Sequence, residues 1–200
     1  ECDLNHLFTS SYATALYLSE EMLNDVFVIG SDGLRQEISE MGIRVVNNEK
    51  TAVNLVVGLD QQFTYDKVKD AISIIQKNGK YIACNMDPVF PVEDNKFLPG
   101  CGAMVGSISA AARKRPDFIV GKPNTYMLKK ITSAFGSKGN EVAVVGDSYE
   151  SDVVMALNNE SIPILVGGGR NDANRDEEYI HIDSIRDVVL LLNGSALKKK

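Results

Sequence analysis

The stretch Val142-Ala143-Val144-Val145-Gly146-Asp147-Ser148-Tyr149-Glu150-Ser151-Asp152 decides the fold class. Its first four residues are apolar and mainly β-branched, and they read as a fully buried strand. Asp147 then stands where the strand opens into a loop, and Asp152 lies at the start of the next helix. Two carboxylates on one strand-to-helix loop, at the carboxyl edge of an α/β sheet, are placed to hold a hard cation such as magnesium. The plainer reading is structural: one satisfies loop amides, and the other sits in a helix first turn, where negative charge is favoured. Upstream, Gly121-Lys122-Pro123 ends another strand. Lys122 either neutralises a phosphate on that cation or is a surface lysine in a Gly-Pro turn. No Asp-x-Asp-Gly run follows an apolar strand anywhere in the sequence.

Outward from this stretch, strands and helices alternate nearly throughout, which predicts a mainly parallel sheet with helices on its faces. Strands are expected at Leu7–Thr9, Asp25–Ile29, Ile43–Val46, Asn54–Leu59, Lys80–Ala83, Phe118–Val120, 142–145 and Ile162–Val166. Helices are expected over Tyr12–Met22, from Ser31 or Asp32 to Met41, and over Thr64–Lys77, Ala103–Arg113, Thr125–Phe135, Ser151–Asn159 and Asp183–Asn193. Thr64–Lys77 is the clearest amphipathic helix, with Val68, Ala71, Ile72 and Ile75 on one face. Asn85–Gly102 is rich in Pro and Gly and reads as a long functional loop. Within it, Asn85 and Asp87 either build turns or contact a substrate.

Composition narrows the class. Two hundred residues suit one sizeable α/β domain, or a medium domain with another inserted. A net charge of −6 argues against a general nucleic-acid binder. The apolar runs fall short of a membrane span, and no signal-peptide pattern opens the chain. Three widely spaced cysteines without a Cys-x-x-Cys pair favour free thiols in a reducing, cytoplasmic setting. His6 and His181 have no metal-ligand spacing, so zinc is not expected. Gly100-x-Gly102-x-x-x-Gly106 is one residue too long for a dinucleotide fingerprint and follows no strand, so a nicotinamide oxidoreductase is disfavoured. Gly167-Gly168-Gly169 lacks the Gly-Lys-Ser/Thr ending of a P-loop.

The motifs in order resemble the haloacid dehalogenase (HAD) superfamily, specifically its phosphatases related to NagD, 4-nitrophenylphosphatase and phosphoglycolate phosphatase. Phe8 to Leu18 resembles their segment entering the cap, and Val28-Ile29-Gly30-Ser31-Asp32-Gly33-Leu34 their first cap strand and turn. Asn85-Met86-Asp87 with Pro99-Gly100-Cys101-Gly102 resembles their substrate-side cap loop, although Cys84-Asn85-Met86-Asp87 departs from the usual Ala-Thr-Asn-Pro-Asp. Gly121-Lys122-Pro123 matches their third motif, and Gly146-Asp147 with Asp152 the fourth.

The resemblance implies a Rossmann-type parallel core over residues 1–22 and 117–200, with an inserted α/β cap over 25–115. It implies magnesium-dependent hydrolysis of a small phosphorylated metabolite, without nucleic-acid or membrane partners and with self-association open. Lys122 would balance charge on the phosphoryl group, Asp147 would hold the metal with Asp152 in support, and Asn85 and Asp87 would face the substrate. The family's nucleophile belongs to a first motif ahead of Phe8, which these residues do not contain. The expectation is therefore an N-terminally truncated core. Its alternative function is that of an inactive relative binding a ligand or partner through its cap.

Overall fold

The computed structural model describes residues 3, 6–167 and 179–193. They divide into two compact units, Glu1–Gly121 and Lys122–Lys200.

The first unit opens with α1 (Ser10–Glu20), capped by Thr9, whose hydroxyl accepts the Tyr12 N–H. Then follow β1 (Val26–Ile29), α2 (Asp32–Glu40), β2 (Val45–Val46), β3 (Asn54–Val57), α3 (Tyr65–Gln76) and β4 (Tyr81–Ala83). An antiparallel hairpin, β5 (Val89–Val92) and β6 (Lys96–Pro99), leads to α4 (Cys101–Ala112) and β7 (Phe118–Ile119). Five strands form a parallel sheet in the order β2-β1-β3-β4-β7. Every residue of β1, β3 and β4 is buried, as a sheet covered on both faces requires. α1 packs beside α2, and α3 beside α4. The strand order runs one way from β1 and the other way from β3, so right-handed crossovers place these two helix pairs on opposite faces.

The second unit carries α5 (Tyr126–Ala134), β8 (Ala143–Gly146), α6 (Val154–Asn158), β9 (Ile162–Val166), β10 (Ile180–Ile182) and α7 (Val188–Leu192). Its sheet is parallel, in the order β10-β9-β8. Tyr149, Val153 and Leu165 form a buried cluster with Val154, Leu157 and Tyr179 packed against it. Among the described residues, β8 is an edge strand.

Several expectations are corrected. Leu7–Thr9 is not a strand: Leu7 is exposed and Thr9 is a helix cap. Residues 1–22 were expected with the core, yet α1 buries Ala13, Ala15 and Leu18 within the first unit. β7 likewise joins the five-stranded sheet, so the division falls after Gly121 rather than near 115. The stretch Asn85–Gly102 contains a hairpin, hidden by Pro91 and Pro99 and by its lack of a buried face. A two-stranded ribbon tolerates such prolines because its outer edges need no ladder donors. The last helix is shorter than expected, preceded by a 3-10 turn over Ile185–Asp187 that Ser184 caps. Gly168, Gly169 and Lys198–Lys200 lie outside the described residues.

Both described cysteines are free and buried. Burial pushes the Cys84 thiol up to about 12, with Cys101 adding to the shift and a hydrogen bond from Thr14 opposing it. Burial likewise pushes Cys101 up to about 11. At pH 8 the Cys84 thiol is then overwhelmingly protonated and a poor nucleophile. In a Cys2→Ser variant, neither remaining thiol should react with a disulfide reagent in native buffer, and both should react in urea. Rapid native labelling of either would show that the first unit does not close over them.

Candidate active site

Lys122 is the first residue of the second unit, and its peptide bond to Pro123 is cis. Further along, the chain leaves β8 at Gly146, passes Asp147 and Ser148, and enters a wide turn over Tyr149–Val153 before α6. The turn winds Asp152 back over the strand end. Its backbone N–H donates to the Ser148 carbonyl at 2.9 Å, while its Oδ2 accepts the Ser148 N–H at 3.2 Å. Asp152 Oδ1 accepts from Lys122 Nζ at 2.7 Å.

This pair is asymmetric in burial: the Asp152 side chain is 7% exposed and that of Lys122 34%. The carboxylate has surrendered most of its water and holds two charge-assisted hydrogen bonds in exchange. The lysine keeps a solvent-facing side and further N–H donors. It is thus fixed in position without being used up, as a group meant to meet an anion must be. Gly146 explains the approach: a Cβ there would land on the Asp152 carboxylate carbon.

Asp147 stands one residue past the strand end, exposed, with no hydrogen bond or ion pair among the described residues. The structure therefore brings Lys122 and Asp152 together and leaves Asp147 beside them with both oxygens open. Among the described residues no three His, Cys, Asp or Glu side chains cluster in a metal-holding arrangement. Magnesium typically takes only one or two carboxylates, completing its shell with water and phosphate oxygens. An open carboxylate at a strand end next to a lysine-neutralised one fits that partial role.

Asn85 and Asp87 lie in the first unit, just after β4, half-buried. Asn85 Oδ1 accepts the Asp87 N–H at 3.2 Å, the self-bonded turn that was one of the two sequence readings. The loop is clamped to the start of α4, where the Gly102 N–H donates to the Asp87 carbonyl at 2.9 Å and the Gly100 N–H to that of Pro88 at 2.8 Å. A Cβ at Gly100 or Gly102 would strike the Asp87 or Met86 carbonyl. Those two glycines thus make room for the chain's own backbone, where a dinucleotide motif would use them for a ligand. The Ser148 amide, a partner of Asp152, was missed by the sequence reading. Its signal was the Ser-x-x-x-Asp spacing, which a wide turn brings together.

Lys122→Met should unfold the second unit more readily, by about 3 kcal/mol, because it leaves a buried carboxylate unpaired. Gly146→Ala should be comparably harmful by forcing Asp152 off the strand end. Chemical denaturation followed by the amide NMR signals of Tyr149 and Val153 measures both, and losses under about 0.5 kcal/mol would place the pair at an ordinary surface.

A HAD-hydrolase-like family profile matches residues 119–190. The sugar-phosphatase AraL of Bacillus subtilis is 32% identical across 98% of this chain and 74% of its own length. An acid sugar phosphatase of Staphylococcus epidermidis is 36% identical, across 77% of this chain and 59% of its own length. The chain thus spans less than two thirds of some curated relatives it matches. Among solved structures, p-nitrophenyl phosphatase from Archaeoglobus fulgidus superposes with a TM-score of 0.78 at 27% identity, covering 99% of this chain and 71% of that one. A double mutant of a thermostable phosphatase (NPPase) from Geobacillus stearothermophilus gives 0.81 at 29%, covering 90% and 72%. With Lys122 of the third-motif match in contact with Asp152 of the fourth, and relatives of this kind across nearly its whole length, the chain belongs to the haloacid dehalogenase superfamily, in its subfamily of NagD-like and 4-nitrophenyl phosphatases.

Proposed function

We propose that these residues form the phosphate-holding part of a magnesium-dependent phosphatase acting on a small phosphate monoester, with sugar phosphates the first substrates to try. The observation that carries this reading is the Lys122–Asp152 contact of 2.7 Å beside the open carboxylate of Asp147. The names of the relatives support the substrate class. In this reading the second unit is the catalytic core and the first is the cap.

Lys122 offers its remaining N–H donors to a phosphoryl oxygen, and Asp152 keeps the ammonium aimed and charged. Asp147 would hold the magnesium ion, which when bound supplies positive charge to the phosphate and organises its approach. Asp152, with both oxygens engaged, supports from behind. Asn85 and Asp87 would face the leaving group from the cap. The covalent step itself needs a carboxylate nucleophile of the kind the family carries in its Asp-x-Asp-Gly motif. A cytoplasmic location belongs to the same reading, as does self-association through β8, an edge strand among the described residues, which can take another strand.

The 200-residue chain alone should release no phosphate from 4-nitrophenyl phosphate in magnesium, since charge and position do not replace a nucleophile. Turnover that Asp147→Ala abolishes would mean that another group in the sequence attacks phosphorus. Joined to a strand bearing Asp-x-Asp-Gly, the protein should hydrolyse sugar phosphates, and Lys122→Met should lower kcat by about 100-fold or more. Asp147→Asn should raise the magnesium requirement further than Asp152→Asn does. Equal shifts would reverse the division of labour between the two carboxylates.

A further inference from the structure

The sheet of the first unit changes direction between two neighbouring strands. β1 passes through α2 to β2 on one side, while β3 passes through α3 to β4 on the other. Connections that depart in opposite directions leave a crevice above the carboxyl ends of the two strands, where open α/β sheets bind ligands. A cavity of about 560 Å3 lies at this point. Ser31, Asp32 and Arg35 line it after β1, and Asp60, Gln61 and Lys67 after β3. None of these residues takes part in the Lys122–Asp152 site.

The polar groups around the cavity are sharply divided between committed and open. Asp60 is buried and both its oxygens are engaged, with Oδ2 accepting from Lys67 Nζ at 2.6 Å and Oδ1 from the Gln62 N–H at 2.9 Å. The Arg35 guanidinium donates to the Val28 carbonyl, which pins it at the end of β1 and leaves other N–H groups of its fork available. Asp32, Gln61 and Gln62 are exposed, and their side chains have no partner among the described residues.

Charge decides the ligand class. The lining holds two cations, Arg35 and Lys67, and two carboxylates, Asp32 and Asp60. The positive end of α2 already faces a negative charge, because Asp32 occupies its first turn. Lys67 is committed to Asp60. An anion would therefore meet a balanced field and one open carboxylate. What remains open is a mixture of acceptors and donors at one mouth, and a hydroxyl group both gives and takes a hydrogen bond. The volume falls within the range of small-molecule sites, about 300–1,000 Å3. We propose that this crevice binds a neutral, hydroxyl-rich small molecule of the polyol or free-sugar class.

The test is amide NMR on the 200-residue chain, titrated separately with D-ribose, D-sorbitol and inorganic phosphate. One of the two polyols should shift the amides of Gly30, Gly33 and Gln61 saturably, with a dissociation constant of about 1 mM or tighter. Asp32→Ala should weaken that binding about tenfold, the worth of hydrogen bonds to a charged group. Gln61→Ala is the second variant, read in the same way if Asp32→Ala disturbs the start of α2. Asp147→Ala should leave the binding unchanged, which separates this site from the proposed phosphatase site. Four results would overturn the proposal: no saturable shift with either polyol, saturation by phosphate alone, unchanged affinity in both crevice variants, or equal loss in Asp147→Ala.

Discussion

A carboxylate left only 7% exposed constrains the second unit more than any other single group. Stranding such a charge without a partner costs several kcal/mol, comparable to much of a domain's net stability. Asp152 therefore requires the ammonium of Lys122 and the amide of Ser148 wherever the chain is folded. The wide turn over Tyr149–Val153 follows from this demand, since Asp152 must reach back over the strand end while Tyr149 and Val153 enter the core cluster. Polar and apolar requirements agree on one geometry. The side chain that supports the site is thereby also a folding constraint.

Some glycines in both units act as spaces for oxygen atoms. Gly146 admits the Asp152 carboxylate, and Gly100 and Gly102 admit the Asp87 and Met86 carbonyls. The Asp152 carboxylate and the Asp87 carbonyl are themselves hydrogen-bonded, so neither can swing aside cheaply. The local motifs Gly-Asp and Gly-Cys-Gly thus carry two kinds of information. The glycines report close packing, and the polar residues between them report chemistry.

The sequence showed its buried strands plainly because burial on both faces leaves a β-branched run: β1 and β3 were both expected within a residue or two. The run before Asp147 was expected to be fully buried as well, yet β8 is exposed at Ala143 and only half-buried beyond it, because β8 is an edge strand among the described residues. The sequence also marked Lys122, Asp147 and Asp152, since polar residues directly after such strands stand out. The elements it hid are those without a packed face. The β5–β6 hairpin exposes nearly every residue and carries prolines, so neither period nor propensity reveals it. β10 is three residues long and, among the described residues, pairs only with β9, too short for a pattern. The unit boundary was misplaced for another reason. The apolar residues of α1 declare that it is buried but not against what, and only the packing beside α2 answers that.

That boundary gives Gly121-Lys122-Pro123 two separate duties. Gly121 ends the first unit, where its N–H donates to the Cys84 carbonyl at 2.8 Å and a Cβ would crowd Asn85. It belongs to the packing that sets the start of the Asn85–Pro88 loop. Lys122 opens the second unit and neutralises Asp152. Read as a phosphate-binding motif alone, the glycine would be an accessory that lets the lysine approach a ligand. The contacts assign it instead to the first unit, in contact with the residue that begins the candidate substrate loop. A side chain at position 121 would act on that loop, and one lost at 122 on the buried carboxylate, so adjacent residues of one motif answer to different folding problems.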